Sequence, residues 1–86
     1  MNEIIWHNQA RKQMKKIPKH YRETIFDSVD QLIAFPECEQ LDITKLRKHR
    51  YDYRLRFGRY RVLFNHDNYI KIVGIQEVKK RNERTY

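Results

Sequence analysis

The sequence predicts an α+β fold: an N-terminal strand, two helices packed on one face of a mainly antiparallel four-stranded sheet, and a short basic C-terminal tail. Three observations predict it. Residues 8–35 place apolar side chains at helical spacing. Residues 53–64 alternate apolar and charged side chains around a single glycine, and residues 69–78 are rich in β-branched types. Helices and strands segregated along the chain, in the order β-α-α-β-β-β, make a layered α+β domain. The 86 residues suffice for one modest core, so residues 1–86 read as a single domain.

Glu3 to Trp6 is short, apolar and β-rich, and reads as the first strand. Asn8 is placed to cap a helix in which Ala10, Met14 and Ile17 fall at i, i+4 and i+7. Pro18 interrupts it, because the residue before a proline is pushed away from helical geometry. A second helix is expected from about Lys19 to Phe35, with Tyr21, Ile25, Val29, Leu32 and Ile33 as its apolar stripe and Phe26 beside it. These aromatics read as core rather than cofactor contacts. Pro36 stops the helix, Glu37 to Asp42 is expected as a loop, and Ile43 to Arg50 as a basic connector.

Tyr53, Leu55 and Phe57 alternate with Arg54 and Arg56, the pattern of a strand with one wet face. Gly58 and Arg59 make a tight reversal, since glycine tolerates the positive φ that short hairpin turns need. Tyr60 to Phe64 returns with Arg61, so three guanidinium groups are expected on one face of the hairpin. Like charges held together suit a polyanionic partner, and an ordinary solvated strand face is the plain alternative. Asn65-His66-Asp67-Asn68 reads as the turn into a last strand from Tyr69 to about Val78, apolar on both faces.

The chain holds 19 Lys and Arg against 11 Asp and Glu, a formal net charge of +8, the footprint of nucleic acid or another acidic partner. Cys38 stands alone, so no intramolecular disulfide forms and a reducing cytoplasm fits. No apolar run approaches the roughly 20 residues of a membrane span, and the start lacks the charged and long apolar regions of a signal peptide. His7, His20 and His66 are scattered without metal-ligand spacing, so neither metal nor other cofactor is expected.

Three local signals together resemble the RelE/ParE superfamily of bacterial toxins. They are Lys45-Leu46-Arg47 before the hairpin, Tyr53-Arg54-Leu55-Arg56 followed by Gly58-Arg59-Tyr60-Arg61-Val62-Leu63-Phe64, and Lys80-Arg81 leading to Tyr86. The order of elements matches over essentially the whole chain. The resemblance implies a toxin of a type II toxin–antitoxin system, with a cognate antitoxin from an adjacent gene. The charge of +8 suggests that this partner is acidic at the contact. In the RelE-like branch such toxins cut messenger RNA in the ribosomal A site without a metal. The ribose 2′-hydroxyl attacks the neighbouring phosphate, leaving a 2′,3′-cyclic phosphate and a free 5′-hydroxyl. In the ParE-like branch they inhibit DNA gyrase without catalysis. A non-catalytic nucleic-acid-binding module is a further alternative.

Carried over residue by residue, the resemblance implies that Arg61 and Arg81 stabilise the scissile phosphate and that Tyr86 stacks on or orients a base. Arg54 and Arg56 fall where several relatives have lysines, one of them proposed as general base. Here the chain departs from the pattern, because an arginine keeps its proton and is a poor acceptor. His49 is the favoured replacement, ahead of Glu77, Lys79 or Lys80, since imidazole titrates near working pH. Lys45, Arg47, Lys48, Arg59, Lys79, Lys80 and Arg84 are expected to contact the nucleic acid, messenger or ribosomal, through its phosphates.

Overall fold

The computed structural model describes residues 1–81. Arg84 and Tyr86 lie outside them. The elements are β1 (Glu3–Trp6), α1 (Asn8–Met14), α2 (Lys19–Asp30), a 3-10 turn (Gln31–Ala34), β2 (Asp42–Lys45), β3 (Tyr53–Phe57), β4 (Tyr60–Asp67) and β5 (Ile72–Lys80). The strands form one sheet in the order β1-β5-β4-β3-β2. The pair β1/β5 is parallel and the other pairings are antiparallel.

The α+β class and the segregation of helices from strands are as expected, but the sheet has five strands rather than four and is mixed. The added strand is β2, where a loop and connector were expected. Asp-Ile-Thr-Lys offers only one apolar residue, Ile43, and becomes a strand because it pairs with β3, Asp42 opposite Arg56 through Lys45 opposite Tyr53. Edge strands of this kind are set by their partner more than by their own pattern.

The helices cover one face. Ala10 and Met14 of α1, Ile25 and Val29 of α2, and Leu32 are buried against Leu55, Val62, Phe64, Val73, Ile75 and Val78. Ile17 is buried with them. His7, not Asn8, holds the N-cap position of α1, and it makes no side-chain cap bond. The long helix expected to reach Phe35 ends at Asp30 and tightens into the 3-10 turn, with Phe35 extended (φ −55°, ψ 136°) ahead of Pro36. Tyr21 and Phe26 are not core residues: they stay 44% and 39% exposed, Tyr21 packing at a tilt against Tyr60 and Phe26 edgewise on Trp6. Ile33 is likewise exposed. Asn2 ties the N-terminus to the end of the helical layer, donating from Nδ2 to the carbonyls of Leu32 (3.1 Å) and Phe35 (2.8 Å).

The hairpin turns at Gly58 with φ +55°, as its sequence requires. Strand β4 runs three residues further than expected, because Asn65, His66 and Asp67 pair with Gly74, Val73 and Ile72. The reversal falls instead on residues 68–71, where the Asp67 carboxylate accepts from the N–H groups of Tyr69 (2.9 Å) and Ile70 (3.1 Å). Strand β5 therefore starts at Ile72, leaving Tyr69 and Ile70 exposed. Opposite the Leu63–Phe64 step the register shifts, so Gln76 is an extra residue on β5. This bulge changes the parity of the strand. Val73 and Ile75 face the helices before it, and Val78 does so after it, which leaves Glu77 on the open face.

Candidate phosphate-binding face

Directly opposed residues on neighbouring strands share a face of the sheet, with Cβ atoms about 5 Å apart. On the face away from the helices, this rule builds two rows across the strands. The first runs Asp42, Arg56, Arg61, Lys79, and the second, one pleat along, runs Thr44, Arg54, Leu63, Glu77. Three cations thus stand side by side with Arg54 beside them. The single aspartate at the edge cannot neutralise the row, and adjacent like charges there are mutually destabilising. Among the described residues the buried Nε of Arg54 has no hydrogen-bond partner, an arrangement that an anionic ligand would satisfy. One position beyond the paired ladder, the N–H of Arg81 donates to the carbonyl of Arg59, which extends β5 along β4. The strand alternation then carries Arg81 to the same face as Lys79.

Glu77 is the carboxylate nearest the middle of this face. Its side chain is 14% exposed, and its Oε1 lies 3.7 Å from Lys79 Nζ. It also accepts from the Gln13 amide at 3.4 Å and from the Tyr51 hydroxyl. Burial disfavours its charged form, but the Tyr51 and Gln13 hydrogen bonds and the charges of Lys79 and Arg50 outweigh burial, so its pKa lies below the ordinary carboxylate value. Burial and the neighbouring Glu77 raise the Tyr51 phenol, with Arg50 opposing, and Tyr51 remains a donor at neutral pH. Gln13 reaches β5 because β1 stops opposite Ile75. Beyond that point the Val78 N–H has no strand partner, and Gln13 Oε1 accepts it at 2.6 Å.

The connector between β2 and β3 folds over the second row. Leu46 N–H donates to the carbonyl of Asp52 at 2.8 Å, closing the loop, and Lys48 turns it with φ +51°. The Asp52 N–H donates to Asn65 Oδ1 at 2.8 Å. His49 is exposed, and its Nδ1 accepts the Tyr51 N–H at 3.0 Å, which places the proton of a neutral ring on Nε2. The Arg50 guanidinium lies 5.4 Å from the centre of the Tyr51 ring.

The site residues expected from sequence separate into groups. Arg54, Arg56, Arg61 and Lys79 meet on the open face, with Arg81 at its end. Arg47, Lys48 and His49 lie exposed on the connector beside it. Lys45 and Lys80 pair with Tyr53 and Tyr60, so they fall on the helix side of the sheet. Lys80 lines a hollow with Tyr21, Tyr60 and the Gly58–Arg59 turn. Sequence reasoning missed Tyr51, Arg50 and Gln13. Tyr51 sits beside the basic run and carried a weak signal, whereas Gln13 is 64 residues from Glu77 and carried none.

Solved structures with this architecture include archaeal RelE in its complex with RelB from Pyrococcus horikoshii. The two chains are 28% identical with a TM-score of 0.80, over 95% of this chain and 97% of that one. The isolated RelE toxin of E. coli matches with a TM-score of 0.79 at 18% identity, over 99% and 89% of the two chains. The intact E. coli RelBE toxin–antitoxin complex matches with a TM-score of 0.77 at 20% identity, over 98% and 100%. No curated protein matches the chain. Fold and cationic face together define a toxin of the RelE/ParE superfamily. A family model described as the ParE toxin of type II toxin–antitoxin systems, parDE, matches residues 4–85, and the chain belongs to that family.

Proposed function

We propose that this toxin is a ribosome-dependent, metal-free endoribonuclease that cuts messenger RNA in the ribosomal A site and so stops translation. The observation that carries this reading is the Arg56–Arg61–Lys79 row, with the buried Nε of Arg54, unpartnered among the described residues, beside it. When a 2′-hydroxyl attacks its own 3′-phosphate, the phosphoryl oxygens gain negative charge before the 5′-oxygen leaves. Fixed cations aimed at those oxygens stabilise that state more than the ground state. In this reading Arg61 and Arg81 hold the scissile phosphate, Arg54 and Arg56 add charge, and Tyr86 stacks on a base. Arg47, Lys48, Arg59 and Arg84 attract ribosomal or messenger phosphates, and Lys45 and Lys80 do so from the other side of the sheet.

The general base is His49 in this reading, with Glu77 the alternative. For His49 to accept the proton, its Nδ1 must release the Tyr51 N–H, because Nε2 of the neutral ring already carries a proton. Glu77 is already ionised, but its lowered pKa makes it a weak acceptor. A cognate antitoxin is the expected partner, as in the RelE–RelB and RelBE complexes of similar fold. An acidic surface on it would complement the charge of +8. Purified toxin incubated with translating ribosomes should produce messenger ends bearing 2′,3′-cyclic phosphates. Co-expression with the adjacent gene should yield a complex whose recovery falls as salt rises.

A second reading, inhibition of DNA gyrase without catalysis, is favoured by the ParE family match. A supercoiling assay separates the two. Loss of gyrase activity with intact messages would replace the ribonuclease reading.

A further inference from the structure

Tyr51 is anchored more heavily than a surface connector residue requires. Its hydroxyl bonds Glu77 in the second row, and its N–H bonds His49 Nδ1. The loop that carries it is closed by the Leu46–Asp52 bond and tied to β4 through Asn65. The ring is half-buried, and the Arg50 guanidinium lies over it. An aromatic ring held in this way loses little side-chain entropy on accepting a planar partner.

Its surroundings change along the strands. On one side of Glu77, a single pleat or about 6.6 Å away, stands the Arg56–Arg61–Lys79 row. On the other side the same face opens into a cavity of about 460 Å³ lined by His7, Asp52, Asn65, Asp67 and Gln76, among others, and, among the described residues, by no lysine or arginine. Gly74 keeps that floor open. A Cβ there would come within 3.0 Å of the Gln76 amide and 3.1 Å of the His7 imidazole. Amides and imidazoles offer donors and acceptors to the edge of a base, and the Asp52 and Asp67 carboxylates repel a phosphate. Cations, a ring and a polar hollow with two carboxylates thus follow one another along the face.

We propose that Tyr51 is a stacking platform for an RNA base whose phosphate lies on the Arg56–Arg61–Lys79 row and whose edge turns toward the cavity of His7, Asn65 and Gln76. Glu77 is a positioning residue that holds the ring. This rests on the ribonuclease reading and names the group that splays the substrate for in-line attack.

Ribosomes programmed with a message carrying 2-aminopurine and 2′-deoxy sugars in the A-site codon cannot be cut there, and they report stacking as loss of fluorescence. Wild-type toxin should bind and quench. Tyr51→Leu should bind about 5- to 150-fold more weakly, the range expected for one base–aromatic stack, and Tyr51→Phe should stay within a few-fold of wild type. Glu77→Gln retains an acceptor for the phenol and should bind better than Glu77→Ala. Loss of charge is common to both variants and does not produce that difference. If Tyr51→Leu melts below wild type, Tyr51→Trp carries the test, because its larger ring must quench at least as deeply as tyrosine. Wild-type binding and quenching by Tyr51→Leu, with binding lost in Arg61→Gln, overturns the stacking role alone. Shallower quenching by Tyr51→Trp overturns it too. A wild-type toxin that neither binds nor cuts on programmed ribosomes overturns both this proposal and the ribonuclease reading.

Discussion

Arg61→Gln removes the middle cation of the Arg56–Arg61–Lys79 row, and structure and function should respond in opposite directions. Arg61 has a cation directly opposite it on each side. At a charge separation of about 7 Å, each repulsion amounts to about 0.6 kcal/mol in a fully aqueous dielectric and about 2.4 kcal/mol at an effective value near 20. Long side chains splay apart and salt screens within about 8 Å, so the realistic figure is the ~0.2–1 kcal/mol found for cross-strand pairs. Two such repulsions are relieved, the one from Lys79 weakened by its Glu77 partner 3.7 Å away, against the loss of packing around a half-buried stem. The unfolding midpoint in urea should stay level or rise by up to about 1 kcal/mol, and the gain should shrink as salt is added. Cleavage on translating ribosomes should fall by about 10²–10³-fold, the cost of removing one preorganised charge contact from a transition state. Stability measured by circular dichroism across a salt series, beside message-end mapping, provides both readouts. Full toxicity in Arg61→Gln, or destabilisation beyond about 1 kcal/mol, would refute the argument that the row is a strained site kept for its ligand.

Four further outcomes are expected. Phe64 is fully buried and in ring contact with Phe35 and Tyr53, so Phe64→Ala should cost about 3–5 kcal/mol in urea unfolding; a loss under 1 kcal/mol would contradict its place in the core. The folded pKa of Glu77 lies below 4.5, so its ionised form adds stability that is complete above pH 4.5 and is lost as pH falls through the folded value. Wild type and Glu77→Gln should therefore converge in stability on acidification, and a constant gap would argue against the shift. His49→Gln should slow single-turnover cleavage by about 10²–10⁴-fold if His49 is the base; an unaltered rate removes it from that role. Tyr86→Phe should keep most cleavage and Tyr86→Ala should lose it if the ring acts by stacking, whereas equal losses would point to the hydroxyl.

Much of the cationic face was legible in the sequence because its signal is local. Alternation from Tyr53 to Phe57 assigns Arg54 and Arg56 to one side of a strand, and Gly58 with φ +55° folds Arg61 back opposite Arg56. Helical spacing likewise identified Ala10, Met14, Ile25, Val29 and Leu32 as core. The extent of the second helix was overestimated, since the periodicity of Leu32 and Ile33 does not distinguish a 3-10 turn from another turn of α-helix. Strand β2 escaped notice because four residues with one apolar side chain carry almost no pattern of their own.

What the sequence by itself determined is therefore the α+β class, the hairpin and the charge that faces away from the helices. Those features follow from periodicities of two and 3.6 residues, which any short window contains. Tertiary structure alone decided the parallel pairing of β1 with β5, the bulge at Gln76 that turns Glu77 to the open face, and the reach of Gln13 across to it. It also separated Lys45 and Lys80 from the arginines with which they cluster in the chain, and brought Tyr51 over the second row. Each of these depends on which strand pairs with which and in what register. A shift of one residue moves a side chain to the opposite face, and only the packed chain fixes that choice.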